Sequence, residues 1–264
     1  MPGVRGEKPR YRTWIRLSRL RVFTALSLLS LAGCVFALDS PWFLLFLLPL
    51  GLVGYITLIL VLTAYRLGPR GGDFQRRIHL LIATSLTVPP AGHALDVGCG
   101  SGSLAVKLAQ AHPALRVTGV DSWGHDWEYS SDECARNARI EGVADRVSFR
   151  KQSGSALAFP DASFDAVVSC MTFHEIKENP DKSNGVAEAL RVLRPGGTFV
   201  FLDLFGDRSF YPDPAAVGAI AGAEPRPLAD LMPLPFPLRH PKVLGHAMVV
   251  TGTKPARSGQ SVAA

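Results

Sequence analysis

The run Ala94-Leu95-Asp96-Val97-Gly98-Cys99-Gly100-Ser101-Gly102 constrains the fold of this 264-residue chain more than any other stretch. An apolar segment at 93–97 follows the breaker Pro89-Pro90-Ala91-Gly92, and residues 103–111 carry the small and apolar spacing of a helix. A buried strand, a glycine loop and a helix start are therefore expected in that order. Glycines at alternate positions permit positive φ where the chain turns and let a ligand approach the backbone. The amides of the helix start then face the crevice beyond the carboxyl end of the strand, where open α/β sheets bind ligands.

The alternation continues downstream. Arg116-Val117-Thr118-Gly119-Val120-Asp121 reads as a second strand ending in a carboxylate, and Ser130-x-x-Glu133 is a capping box for a helix that Gly142 ends. Residues 147–150 form a third strand, and 165–170 a fourth, apolar enough to be buried on both faces. A helix at 186–193 stops at Pro195-Gly196-Gly197, and 198–202 is a fifth strand. Residues 205–241 read as proline-rich and irregular, 246–254 as a last strand or hairpin, and 255–264 as a disordered tail. Sustained alternation argues for an α/β fold with a parallel sheet.

Ahead of this lie two uncharged apolar runs, 22–38 and 42–63, broken by Asp39-Ser40-Pro41. The second is long enough to cross about 30 Å of hydrocarbon and the first just so. Arg12, Arg16, Arg19 and Arg21 precede the pair and Arg66, Arg70, Arg76 and Arg77 follow it, whereas the turn between carries only Asp39. By the positive-inside rule this is a hairpin with both ends in the cytoplasm. Two buried core helices are the soluble alternative. Leu31-Ala32-Gly33-Cys34 also resembles a lipobox, but 42–63 would still return the chain to the cytoplasm. Beyond the hairpin, Phe74, Ile78, Leu81 and Ile82 mark an amphipathic helix.

Composition excludes two classes. The net charge of +6 is concentrated in residues 1–21, which hold seven Lys/Arg against Glu7 alone, so the remainder is close to neutral. A nucleic-acid-binding domain keeps its basic excess in its folded part, and this chain does not. Cys34, Cys99, Cys134 and Cys170 lie far apart without a C-x-x-C pair, which fits reduced buried thiols and neither a disulfide framework nor a metal site.

Several stations in order carry a family resemblance. Asp96-x-Gly98-x-Gly100-x-Gly102 departs from the dinucleotide G-x-G-x-x-G, with Ser103 where the third glycine is expected. It is followed by Asp121, by Phe159-Pro160-Asp161-x-Ser163-Phe164-Asp165, and by Glu188-Ala189-Leu190-Arg191-Val192-Leu193-Arg194-Pro195-Gly196-Gly197. Together these resemble the class I S-adenosylmethionine (SAM) methyltransferases, in their ubiquinone/menaquinone-biosynthesis-like (type 11) branch. The resemblance implies a Rossmann-like seven-stranded sheet of order 3-2-1-4-5-7-6 with the seventh strand antiparallel. It further implies that Gly98, Gly100 and Gly102 let the methionine half of SAM lie on the backbone. Asp96 then stands near the ammonium, and Asp121 accepts the ribose hydroxyls. It also places Cys99, Ser122, Ala156 and Ser169 in the cofactor cleft. Trp123 either packs against adenine or is a core tryptophan. Where the family carries Gly-Asp-Ala this chain has Gly154-Ser155-Ala156, so an uncharged Ser155 would take the adenine amino group. The helix after the hairpin either covers the cofactor, as in many of these enzymes, or packs plainly.

The end of the fourth strand, Ser169 to Glu175, is where these enzymes place methyl and acceptor. His174 is the one obvious base there, with Glu175 beside it, although proximity alone suffices in many such enzymes. His125, Asp126, Trp127 and Glu128 are expected at the pocket mouth, without metal-site spacing.

The sequence thus reads as a basic terminus (1–21), a transmembrane hairpin (22–65), a linker and amphipathic helix (66–90), a methyltransferase domain (91–254) and a tail. The acceptor is a small molecule, apolar or lipid-borne, with residues 205–241 as an apolar lid that includes Leu234 and Phe236. A chain beginning near Gly71 is expected to keep SAM binding. The competing readings are a membrane-tethered SAM-binding sensor and an NAD(P)-binding Rossmann oxidoreductase; the latter lacks a Tyr-x-x-x-Lys pair.

Overall fold

The central strand is β1 (His93–Val97), buried at four of its five positions. It is flanked in parallel by β2 (Arg116–Asp121) and β4 (Phe164–Cys170), with Asp96 level with both Gly119 and Val168. β3 (Val147–Lys151) extends the sheet beyond β2, and β5 (Leu193–Asp203) beyond β4. β7 (Met248–Thr253) runs antiparallel to β5, and the two-residue β6 (Arg226–Pro227) pairs with it at the edge. The order is β3-β2-β1-β4-β5-β7-β6, as expected. The computed structural model describes residues 6–124, 127 and 129–256. His125, Asp126 and Glu128, and residues 257–264 of the expected tail, lie outside the described residues.

Each sheet face has its own core because strand side chains alternate. α3 (Phe74–Ser85) and α4 (Ser103–Ala111) bury Ile78, Ile82, Leu104 and Leu108 on one face, with Ala94 and Val168 beneath. α6 (Ser183–Val192) and α7 (Pro214–Ala221) cover the other, over Leu95, Val167 and Phe199. α5 (Ser131–Ile140) opens as its capping box predicts, with the Glu133 amide donating to Ser130 Oγ at 3.2 Å. The side chain of Glu133 pairs with Arg12 at 3.3 Å.

Two segments differ from the sequence reading. β5 begins at Leu193, so Pro195-Gly196-Gly197 lies within it as an irregularity, the register shifting opposite Phe164 and Ala166. The Gly196 amide donates to Lys254 O at 2.8 Å, so an apparent stop is captured by the residue that follows β7. Residues 205–241 are not irregular throughout: they hold α7, capped by Asp213 (3.0 Å to the Ala215 amide), β6, and the short α8 (Leu228–Leu231). β6 exists only through pairing with Val249 and Met248, a tertiary event with no local signal.

Before the sheet stand α1 (Leu17–Phe36) and α2 (Phe43–Leu67), of 20 and 25 residues, long and apolar enough to cross a membrane by length and composition. They pack antiparallel, with Ser27 Oγ 2.8 Å from Thr57 Oγ1 and the Phe46 ring against Gly33, where a Cβ would lie 2.3 Å from it. Among the described residues, every exposed large apolar side chain lies at positions 17–65 except Ile220 and Phe236. α1 starts five residues before the apolar run, because Arg19 and Arg21 are good helix formers.

Gly102 caps α4 at φ 79°, and a Cβ there would lie 2.9 Å from the Phe149 ring. Gly102→Ala should therefore lower stability by about 1–3 kcal/mol, read from thermal unfolding of the purified chain.

Candidate active site

A cavity of about 360 Å³ opens at the carboxyl ends of β1, β2 and β4. Its floor is the glycine loop. The Gly98 and Cys99 amides both donate to Val120 O, at 2.8 and 3.0 Å, which folds the chain sharply over the end of β2. Gly98 takes φ 77°, and a Cβ there would fall 2.0 Å from Thr172 Oγ1, so only glycine fits between β1 and the turn after β4.

Two carboxyls face this floor. Asp96 is buried at the end of β1, and its Oδ2 has no hydrogen-bond partner. Burial, reinforced by Asp121 and opposed by an amide at Ala105, pushes its carboxyl up to about 8. A cation arriving at Oδ2 would hold it ionised. Asp121 accepts the Gly100 amide at 2.9 Å and the Trp123 amide at 2.8 Å, one on each oxygen. Burial raises it, with those amides working against the rise. Each oxygen retains a lone pair for a hydroxyl.

The walls gather most, but not all, of the sequence candidates. Asp96, Gly98, Cys99, Gly100, Asp121, Ser122, His174 and Glu175 line the cavity. Five candidates do not. Gly102 turns to Phe149 and Cys134, a packing role. Ser169 is fully buried and donates to Val97 O at 3.0 Å, stapling β4 to β1. Trp123, at φ 40°, donates its indole N–H to Gly100 O at 2.9 Å and braces the loop from behind. Ser155 is turned onto Ser153 (Oγ to Oγ 2.8 Å) and Ala156 is exposed, so Gln152, Ser153 and Gly154 take the wall instead. In each case a neighbour's geometry, not residue type, decides.

Sequence reasoning missed the segment ahead of α1. Residues 7–16 strap across the cavity before the chain enters the hairpin. Fully buried Asn137 accepts the Arg10 amide at 2.8 Å and returns a bond to Arg10 O at 2.9 Å. Gln75 on α3 likewise accepts the Trp14 amide and donates to Arg12 O. Arg12, Trp14, Gln75 and His79 thereby join the lining. Burial, with the Lys107 charge, pushes His79 down to about 3, and its Nδ1 lies 2.9 Å from Ser103 Oγ. Gln75 and His79 of α3 face the cavity while Ile78 and Ile82 face the core, so the helix both packs and covers. The Trp127 and Tyr129 rings, stacked at 5.4 Å, complete the mouth, and the Arg16 guanidinium lies 4.4 Å over Trp127. The lid expected from 205–241 is absent from this cavity. Leu234 is core and Phe236 faces outward: Leu228, Leu234 and Leu238 pack into the core beneath α3 and α4, α7 packs on the opposite face, and none of 205–241 lines the cavity.

On the acceptor side, His174 Nδ1 lies 2.6 Å from Asp203 Oδ1, the side chains being 9% and 0% exposed. Asp203 Oδ2 accepts the Thr172 and Phe173 amides at 3.0 and 2.7 Å, which fixes the carboxylate. Burial alone would lower His174, but the charge and hydrogen bond of Asp203, with Glu175, outweigh it and raise the imidazole. Glu175 sits at the mouth, paired with Arg16 at 2.6 Å.

These residues fit SAM. The orphan oxygen of Asp96 suits the ammonium, Asp121 the ribose diol and the bare Gly98–Gly100 backbone the methionine chain. Asp121→Ala should weaken SAM binding by about 1.5–3 kcal/mol by titration calorimetry, since charge-assisted bonds are lost. A chain beginning at Gly71 should also bind SAM more weakly, contrary to the sequence-based expectation, because Arg12 and Trp14 leave the wall; equal affinity would make the strap mere packing.

Comparison with known proteins falls on the same region. Residues 95–201 match the family described as "Methyltransferase domain". The 27-O-demethylrifamycin SV methyltransferase of Amycolatopsis mediterranei is 34% identical over 53% of this chain and 47% of its own length. The demethylmenaquinone methyltransferase of Deinococcus radiodurans is 34% identical over 46% of this chain and 44% of its own length. The chain thus spans about half the length of the curated relatives it matches. In fold, it is similar to geranyl diphosphate methyltransferase solved in complex with SAM, with a TM-score of 0.53 at 16% identity, over 70% of this chain and 87% of that one. Residues 95–201 therefore match the methyltransferase-domain family, and the fold around them is similar to that of a methyltransferase solved with S-adenosylmethionine.

Proposed function

We propose that this chain is a membrane-anchored methyltransferase acting on a small, apolar or lipid-borne acceptor, with its hairpin in the bilayer and its catalytic domain on the cytoplasmic side. One observation carries this reading: Arg16, the last residue before α1, closes at 2.6 Å onto Glu175, next to His174. The acceptor end of the cavity thereby stands at the foot of two helices long and apolar enough to span a bilayer. The relative named as a demethylmenaquinone methyltransferase supports a quinone-type acceptor.

SAM supplies an electrophilic methyl on a sulfonium, so the attacking atom of a hydroxyl or activated carbon acceptor must shed a proton. His174 is the base in this reading. Its Nδ1–H donates to Asp203, which leaves the Nε2 lone pair toward the cavity, 3.7 Å from Glu175 Oε1. Asp96 and Asp121 bind the donor; the strap and Trp127 exclude water over it.

The pH dependence follows. His174 acts when neutral and its pKa is raised, so kcat/KM should climb with pH through a value above the ordinary 6.5. Asp203→Asn removes the raising charge and should move that limb to lower pH while lowering kcat. His174→Ala should cost about 10²–10⁴-fold in kcat with SAM affinity unchanged. Assay with labelled SAM and a quinone-type acceptor in vesicles reads both; an unchanged limb in Asp203→Asn would remove His174 from the chemistry. A reporter fused after Ala264 should be active only in a cytoplasmic form, and external activity would reverse the topology.

A further inference from the structure

The chemistry at His174 leaves one stretch of the cavity wall unused. His79 is 4% exposed, lines the cavity, and among the described residues makes one hydrogen bond, from Nδ1, 2.9 Å from Ser103 Oγ. A ring nitrogen this enclosed is costly unless a ligand pairs with it. Burial keeps the imidazole neutral, so with Ser103 donating to Nδ1 the ring proton sits on Nε2 as a donor. The Asp96 carboxyl takes the Ala105 amide of the same helix turn. An acid that suits an ammonium and a donor that suits a carboxylate therefore meet at the start of α4, at Ala105 and Ser103. The strap brings a cation to this corner. Gln75, four residues before His79 and so on the same face of α3, donates to Arg12 O at 2.9 Å and accepts the Trp14 amide at 3.1 Å. The Trp14 and His79 rings meet edge to face at 5.6 Å. Arg12 lines the cavity with its Nε on Glu133 at 3.3 Å, and a guanidinium carries further N–H groups beyond Nε–H.

We propose that His79 and Arg12 hold the carboxylate at the amino-acid end of SAM, beside the ammonium on Asp96, and that this carboxylate fastens the strap to α3. The inference rests on SAM as the donor and is independent of where the hairpin lies. An ammonium and a carboxylate borne on one carbon need an acid and donors side by side, which the first turn of α4 provides. Both residues lie outside 95–201, the part of the chain that matches the methyltransferase family. A coupling follows. Arg12 stands ahead of the two apolar helices and His79 behind them, so one ligand group ties together the chain on either side of the hairpin.

Calorimetry of the full chain in detergent compares S-adenosylhomocysteine, which keeps the amino-acid end of SAM, with its decarboxylated analogue, which keeps the ammonium alone. The wild type should prefer the first by about 10–100-fold, as expected for charge-assisted hydrogen bonds. His79→Ala and Arg12→Gln should each cut that preference severalfold while leaving affinity for the analogue unchanged, which also shows that the variants fold. Glu133→Gln breaks the ion pair but keeps the guanidinium, and should retain the preference. Trypsin reads the strap, since Lys8, Arg10, Arg12 and Arg16 lie in it. Saturating S-adenosylhomocysteine should slow cleavage there severalfold more than the saturating analogue does. A wild type that binds the two ligands alike, or variants that weaken both equally, would overturn the carboxylate site while SAM stands as the donor. Binding of neither ligand overturns the SAM assignment itself. Equal protection of the strap by both ligands would remove the coupling.

Discussion

The bond pair from the Gly98 and Cys99 amides to Val120 O is the constraint on which the site depends. It bends the chain as it leaves the central strand, so that Asp96 stays buried beneath the loop and the Gly100 amide reaches Asp121. Positive φ at Gly98, and the absence of a side chain where Thr172 crosses, make that bend possible. Three strands contribute to one point: β1 its aspartate, β2 its terminal carboxylate, β4 the turn that carries His174. Parallel packing puts all three carboxyl ends on the same edge, which is why a cavity forms there.

A buried acid with an unmatched oxygen is costly unless something pairs with it. Asp96 is such a group, and its raised pKa records the cost. Its presence in a cavity that also offers Asp121 and a bare backbone is an argument for a cationic, hydroxyl-bearing ligand that does not depend on resemblance. His174 poses the opposite case. There the partner is present, and three elements converge to hold it, since Asp203 is fixed by amides of the turn it supports.

The apolar helix pair is tied into the site. The strap at 7–16 and α3, which together wall the cavity, are separated in sequence by the two apolar helices. Whatever moves the hairpin relative to the sheet pulls on both walls at once, through Gln75, which holds the strap to α3, and through Arg16, which ties the foot of α1 to Glu175.

The core of the fold was legible because its signals are local. Apolar run, glycine loop, capping box and breaker each act within a few residues, and β1, α4 and β2 begin and end where those signals place them. The positions of Asp96 and Asp121 at strand ends, and of His174 four residues beyond one, were legible for the same reason, whereas the roles expected of them came from the family resemblance. What the tertiary structure alone decided are the long-range pairings. Asp203 meets His174 across 29 residues, Asn137 meets Arg10 across 127, and β6 is a strand only because β7 lies beside it. Trp123, Ser155 and Ser169 stand at the right places in the chain yet face away from the cavity, because a side chain's direction is set by the neighbour it bonds and not by its position in the sequence.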